Sequence, residues 1–160
     1  MNQKQIKDYL DAAQHYADYK SGCCKVAVGS VLIPAADPRV TIYGCNKTYP
    51  VSCRSFGCRR IELYGEDSKN HRLPSDCRAL HSEVDAIIQS AKFEYSTQGA
   101  TMFVTRYPCE ACARAIVNAG IKVVYYGREQ EVSEETKKIF RSKHVKLVHV
   151  NTWTYEDTRR

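Results

Sequence analysis

Ile6, Leu10, Ala13 and Ala17 recur at helical spacing, which predicts a first helix over about Lys4 to Tyr19. The run Val26 to Ile33 reads as a strand, Pro34 to Arg39 as a turn, and Val40 to Gly44 as a second strand pairing with the first as a hairpin. Val84, Ile87, Ile88 and Ala91 fall at i, i+3, i+4 and i+7, so His81 to Lys92 is a helix. A strand over Ala100 to Thr105 leads to Pro108, placed as the first residue of a helix whose inward face is Cys112, Ala115, Ile116 and Ala119 and whose cap is Gly120. A strand over Ile121 to Tyr126, a helix over Ser133 to Ser142 with Ser133 as N-cap, and a strand over Val145 to Val150 complete the series. The alternation in the second half calls for parallel strands joined by right-handed crossovers, and the hairpin supplies an antiparallel edge. The predicted fold is α/β: a three-layer α-β-α sandwich around a five-stranded mixed sheet.

With 160 residues, 43% hydrophobic and 26% charged, the chain has the composition of one globular domain, taken as 1–150 with a polar tail at 151–160 expected to fray. No stretch approaches the roughly 18 apolar residues of a membrane span, and the polar, helical start at Met1 to Leu10 is no signal peptide, so a cytoplasmic protein without membrane contact is expected. The net charge of +6 suits an anionic ligand, a nucleotide or a nucleic acid. It also suits an ordinary solvated surface, and no run of five basic residues marks a nucleic-acid tail.

The segment 46–80 breaks the pattern: it is polar, charged and carries Cys53, Cys58 and Cys77. Unstructured loops of this length are uncommon in compact domains, so something should pin it. The chain holds eight cysteines, Cys23, Cys24, Cys45, Cys53, Cys58, Cys77, Cys109 and Cys112. In a reducing compartment clustered thiols bind metal or do chemistry more often than they form disulfides. Two short segments carry the chemistry, His81-Ser82-Glu83 and Pro108-Cys109-Glu110-Ala111-Cys112. Alone, a Cys-x-x-Cys is a redox pair, half of a structural zinc site or two core thiols. Together, three ligands from two helix starts can converge on one ion: His81, Cys109 and Cys112 suit Zn²⁺ and leave its fourth position for water. Glu83, two residues past His81, can then move protons without binding the metal. The competing arrangement is a closed zinc knuckle with a fourth ligand such as Cys77.

A His-x-Glu with Pro-Cys-x-x-Cys is the zinc-deaminase signature, and here the resemblance becomes specific. The chain resembles the deoxycytidylate (dCMP) deaminases of the cytidine deaminase-like superfamily, above all the standalone form of bacterial late-competence operons. The likeness covers about residues 20–127. It includes Ser21-Gly22-Cys23, Val28-Gly29, Asn46, Cys53, Phe56-Gly57-Cys58, Cys77, the stretch from His81 to Ile87, Ser90-Ala91-Lys92-Phe93, Thr105-Arg106-Tyr107-Pro108-Cys109 and Ala119-Gly120-Ile121-Lys122. It implies zinc-dependent hydrolysis of dCMP to dUMP and ammonia, feeding thymidylate synthesis, in a homo-oligomer that is often a hexamer. It implies Glu83 as the catalytic proton carrier and His81, Cys109 and Cys112 as the catalytic zinc ligands. By the same resemblance Asn46 holds the sugar 3′-hydroxyl, the Ser82 carbonyl meets the exocyclic amine and Tyr107 flanks the base. Cys23, Cys53, Cys58 and Cys77, which match cysteines of the family, are expected to hold a second, structural zinc, with Cys24, Cys45 and His71 as substitutes. Lys25, Arg54 and Arg106 are candidates for the phosphate.

The chain also departs from the family pattern. Ser82 and Asp85 replace Ala and Asn in His-Ala-Glu-x-Asn-Ala, and Gly44-Cys45-Asn46-Lys47 replaces Gly-Tyr-Asn-Gly. Asp85 adds negative charge near a site meant for a phosphate. Lys47 stands where a glycine at positive φ is expected, at a steric cost. These changes predict a weakened response to dCTP and dTTP, the family's usual effectors, unless Lys47 contacts the triphosphate itself. The alternatives are a deaminase of another cytidine nucleotide or of tRNA adenosine, and a non-catalytic zinc module on nucleic acid. A tRNA adenosine deaminase lacks a reason for the cysteine-bearing insertion, and a nucleic-acid module lacks an aromatic-basic binding motif.

Overall fold

A computed structural model describes residues 1–48, 52–65, 67, 76–131 and 133–155. The first helix, α1 (Gln3–Lys20), opens on a capping box: Asn2 accepts from the Gln5 N–H, and the Gln5 side chain accepts from the Asn2 N–H. Strands β1 (Gly29–Ile33) and β2 (Ile42–Cys45) form the predicted hairpin. The insertion holds short elements: β3 (Lys47–Thr48), α2 (Cys53–Phe56), α3 (Arg59–Tyr64) and β4 (Ala79–Leu80). Then come α4 (Ser82–Lys92), β5 (Thr101–Arg106), α5 (Glu110–Asn118), β6 (Val123–Arg128), α6 (Glu134–Ser142) and β7 (Lys146–His149).

The main sheet has five strands in the order β2-β1-β5-β6-β7, and β3 pairs with β4 separately. The pairings β2-β1 and β1-β5 are antiparallel, while β5-β6 and β6-β7 are parallel. This is the expected five-stranded mixed sheet of a cytidine deaminase-like fold. Alternation along β5 divides the core: Met102 and Val104 face α4, α5 and α6, while Phe103 faces α1. Leu10, Leu32, Met102, Phe103, Ile116 and Phe140 are fully buried, and each contributes about 1.5–3 kcal/mol by leaving water.

Three boundaries differ from the sequence reading. Cys109, not Pro108, is the residue that caps α5, and Ala119 is its C-cap, with Gly120 following at φ 76°. Cys109 occupies the cap because its backbone is extended there, at ψ 170°. The polar tail does not fray at 151: Trp153 is buried against α1, its indole N–H donating to Asp11 at 2.8 Å, and Gly127 leaves the space that its ring fills. Residues 156–160 lie outside the described residues, as does His71. Among the described residues no helix is long and apolar enough to cross a membrane.

Candidate active site

Because β1 runs antiparallel to both β2 and β5, the C-terminal ends of β2 and β5 lie at the same edge of the sheet. Helices α4 and α5 both start at that edge, the usual place for a ligand in an open α/β sheet. Their caps are unusual. Asn2, Ser52 and Ser133 cap their helices with side-chain hydrogen bonds, whereas His81 and Cys109 make none. The side chains of His81 and Cys109 turn toward each other instead. His81 Nδ1 lies 3.3 Å from Cys112 Sγ and 3.4 Å from Cys109 Sγ. Cys112 joins them because it sits three residues into α5, on the same face as its cap.

The three donor atoms lie within 4.8 Å of one another, and among the described residues this is the one group of three or more that does so. Tetrahedral Zn²⁺ with bonds of roughly 2.0–2.3 Å holds its ligands about 3.5–3.8 Å apart, so the donor set fits the ion. Exposure falls from exposed His81 through half-buried Cys109 to buried Cys112, which opens the site on one side. Electrostatics prepare the thiolates. Cys112 donates to Cys109 and, with help from His81, draws the Cys109 thiol down to about 4. Cys112 keeps the shared proton and is shifted upward. The hydrogen bond to Cys109 raises the His81 imidazole above its usual value.

Glu83 stands beside this set and is 4% exposed. Burial raises its carboxyl, and the charge of His81 opposes the rise. The Ser82 hydroxyl donates to Glu83 Oε2 at 3.0 Å and fixes its orientation, a role the sequence did not reveal. A desolvated carboxyl beside three residues that could hold a metal has the chemistry to accept and return protons.

The expected substrate contacts change. The Ser82 carbonyl does not face the site. It accepts from Ser30 Oγ at 2.6 Å and abuts Gly44, since helix carbonyls point toward the C-terminus. The Tyr107 ring packs edge-on against Tyr126, centroids 4.7 Å apart. It lines a cavity of about 600 Å³ with Lys137, Phe140 and Arg141, to which none of the three donors contributes. The Tyr107 backbone N–H donates to the Arg128 carbonyl at 2.9 Å. Asn46 is buried with Oδ1 accepting from the Ser21 hydroxyl and the Val28 N–H, while Nδ2 donates to the Val26 carbonyl. One amide hydrogen remains for a sugar. Lys47 begins a strand, and among the described residues the non-glycines at positive φ are Glu94 and His144, so the steric cost expected at Lys47 does not arise.

The insertion is drawn to the start of β1. Arg54 N–H and Ser52 Oγ both donate to the Gly22 carbonyl at 3.2 Å. Cys53 is raised by burial and then by the neighbouring thiols of Cys23, Cys58, Cys24 and Cys77, so five cysteines share one region. Cys24 is raised in the same way and hydrogen-bonds Cys58. No three of these sulfurs meet the 4.8 Å closeness of the first set. All eight cysteines are free thiols. Cys45 is buried against α1, pushed up to about 11 by burial, and stands apart in the core. Arg54 donates to the Asp18 carbonyl. The cation whose charge reaches His81 is Arg60, on α3, and the sequence reading missed it because its register in the insertion carries no periodic signal.

The chain is similar to known proteins. ComE operon protein 2 of Bacillus subtilis is 31% identical over 134 residues, covering 82% of this chain and 64% of that protein. The deoxycytidylate deaminase of Enterobacteria phage T2 is 41% identical over 75 residues, 46% of this chain and 40% of the phage enzyme. The chain thus spans less than two thirds of the length of either relative. A crystal structure of dCMP deaminase from the cyanophage S-TIM5, in complex with dCMP and dUMP, superposes with a TM-score of 0.69 at 22% identity, covering 93% of this chain and 98% of that one; it shows the common fold. The family model of the MafB19-like deaminases matches residues 5–156, and with His81, Glu83, Cys109 and Cys112 gathered at one sheet edge the chain belongs to that family of cytidine deaminase-like hydrolases.

Proposed function

We propose that the protein is a zinc-dependent deaminase that hydrolyses dCMP to dUMP and ammonia, supplying dUMP for thymidylate synthesis. The convergence of His81, Cys109 and Cys112 beside buried Glu83 carries this reading. Held by these three residues, zinc supplies Lewis acidity toward water at the remaining position. Glu83 would take one proton from water as its oxygen bonds C4 and pass it to the pyrimidine ring nitrogen, then take the second proton from the new C4 hydroxyl as that becomes a carbonyl and pass it to the amine, which leaves as ammonia. The Ser82 N–H, at the positive end of α4, donates to the pyrimidine carbonyl. The remaining amide hydrogen of Asn46 meets the sugar hydroxyl.

The substrate is a monophosphate, and Arg60 is its cation. Its charge acts on His81, and among the described residues its buried Nε has no hydrogen-bond partner. A guanidinium in that position is suited to a charge-assisted pair with phosphate. Lys47, already held by Asp85, is not available to a triphosphate, which supports a weak response to dCTP and dTTP. The gathered thiols of Cys23, Cys53, Cys58 and Cys77 support a second, structural zinc that pins the insertion. Exposed Phe56, Leu63 and Phe93 support a homo-oligomer, with a hexamer expected. A free nucleotide substrate supports a cytoplasmic location.

Ammonia release from dCMP, dCTP, deoxycytidine and tRNA tests the reading, with zinc content measured on the same preparation and with each triphosphate added. The expected result is turnover of dCMP well above the others. Turnover of tRNA adenosine, or silence on every cytidine nucleotide by a zinc-loaded protein, would overturn it.

A further inference from the structure

Asp85 and Lys47, two departures from the family pattern, are partners. Lys47 Nζ donates to Asp85 Oδ1 at 2.9 Å, with side-chain exposures of 36% and 2%. The other carboxylate oxygen accepts the Cys45 N–H at 3.0 Å, and Gln89 Nε2 donates to Oδ1 at 3.1 Å. One carboxylate on α4 therefore grips the chain on both sides of Asn46, at the backbone of Cys45 and at the side chain of Lys47. The same carboxylate belongs to the first turn of the helix that carries Glu83, and the Asp85 N–H donates to the His81 carbonyl at 2.9 Å. On the other side Lys47 pairs with Leu80 across β3 and β4, next to His81. Asn46, Glu83 and His81 are thus tied to one another through this pair.

We propose that Lys47 and Asp85 form a charge-neutral clamp that positions Asn46 against the deoxyribose, so that the pair sets affinity for the nucleotide. The proposal rests on the dCMP reading above. Its electrostatics are asymmetric. Asp85 is nearly enclosed, and without Lys47 its carboxylate is a buried charge with no counter-ion, whose field acts against an anionic nucleotide held at neighbouring Asn46. Lys47 is partly exposed, and without the Asp85 charge its ammonium reaches water along its flexible stem. Lys47 is accordingly a positioning residue, and its two possible effects, on geometry and on charge, separate in kinetics.

The experiment measures kcat and KM for dCMP and deoxycytidine in the zinc-loaded wild type, Lys47→Met, Asp85→Asn and the double substitution. Lys47→Met is expected to raise KM for dCMP about tenfold or more, with a smaller rise for deoxycytidine and kcat within about threefold. Asp85→Asn keeps an acceptor for the Cys45 N–H but loses the ionic hold on Lys47, and is expected to raise KM for dCMP by a smaller factor, about threefold to tenfold. Asp85→Asn added to Lys47→Met is expected to lower KM again, to about the level of Asp85→Asn alone. That reversal of sign is the signature of the clamp, because a residue needed only for packing would be worsened by a second loss. An active wild type in which the two substitutions act additively, or in which Lys47→Met leaves KM unchanged, would overturn the clamp alone. A zinc-loaded wild type silent on dCMP would overturn the functional reading and this inference together.

Discussion

Gly44→Ala is the sharpest probe of how the sheet holds the catalytic helix. Gly44 lies in β2 directly beneath the first turn of α4. A methyl group there would stand 2.2 Å from the Ser82 carbonyl oxygen, 2.6 Å from the Ala86 nitrogen and 2.8 Å from Ser30 Oγ. The Ser30 hydroxyl can rotate away, at the loss of its 2.6 Å bond to Ser82. The other two atoms are helix backbone and cannot rotate. Ordinary Cβ contacts begin above 3.0 Å, so α4 must retreat from the sheet by about 1 Å. The retreat carries His81 and Glu83 with it, while Cys109 and Cys112 stay on α5. A 1 Å misplacement of catalytic groups costs on the order of 10²-fold in rate, about 2.7 kcal/mol in the barrier. Overpacking lowers stability by about 1–3 kcal/mol as well. The assay is kcat/KM for dCMP in excess zinc, with zinc content and thermal unfolding measured on the same samples. A folded, zinc-loaded Gly44→Ala enzyme within threefold of the wild type would show that α4 is not seated on Gly44 as described.

Glu83→Gln is expected to retain fold and zinc while losing about 10²–10⁴-fold in turnover, read by steady-state kinetics with metal analysis; near-normal activity would rule out the proton role. Arg60→Gln is expected to raise KM for dCMP at least about tenfold and to leave deoxycytidine little changed, since only the former has a phosphate to lose. Elemental analysis of the active enzyme is expected to give two zinc per chain. Cys53→Ser is expected to reduce that to one and to lower the unfolding temperature, while one zinc in fully active wild type would refute the structural site.

The periodic segments were legible because burial imposes period on them. Ile6, Leu10, Ala13 and Ala17 face the sheet through α1, and the strand and helix order after His81 followed from alternating apolar runs. The donor set was legible for a different reason: zinc chemistry restricts the residue types, and helix starts restrict the spacing. What escaped was direction. A sequence names Ser82 and Tyr107 but not what the carbonyl or the ring meets: Ser30 in the first case and Tyr126 in the second. The carbonyl follows the helix axis, and the ring follows the apolar surface of Tyr126. Trp153 escaped because a single aromatic among polar residues has no period to announce it, although Gly127 across from it supplies the space.

Substitutions compared one position at a time mislead when two of them meet in space. Asp85 alone reads as a charge that repels phosphate, and Lys47 alone reads as a strained residue or an extra phosphate ligand. Placed 2.9 Å apart, they answer each other. The carboxylate gains a counter-charge and the Cys45 N–H, and the lysine is held in a strand at ordinary backbone angles. The separation of 38 residues between them explains why no local pattern could link the two. With Lys47 held by Asp85, the proposed phosphate cation is Arg60, whose charge acts on His81 and which lies in the insertion that carries the clustered cysteines. The insertion therefore has a reason to be pinned: if its thiols hold a metal, that metal holds the phosphate ligand in place, and loss of Cys53 should weaken dCMP binding as well as the fold.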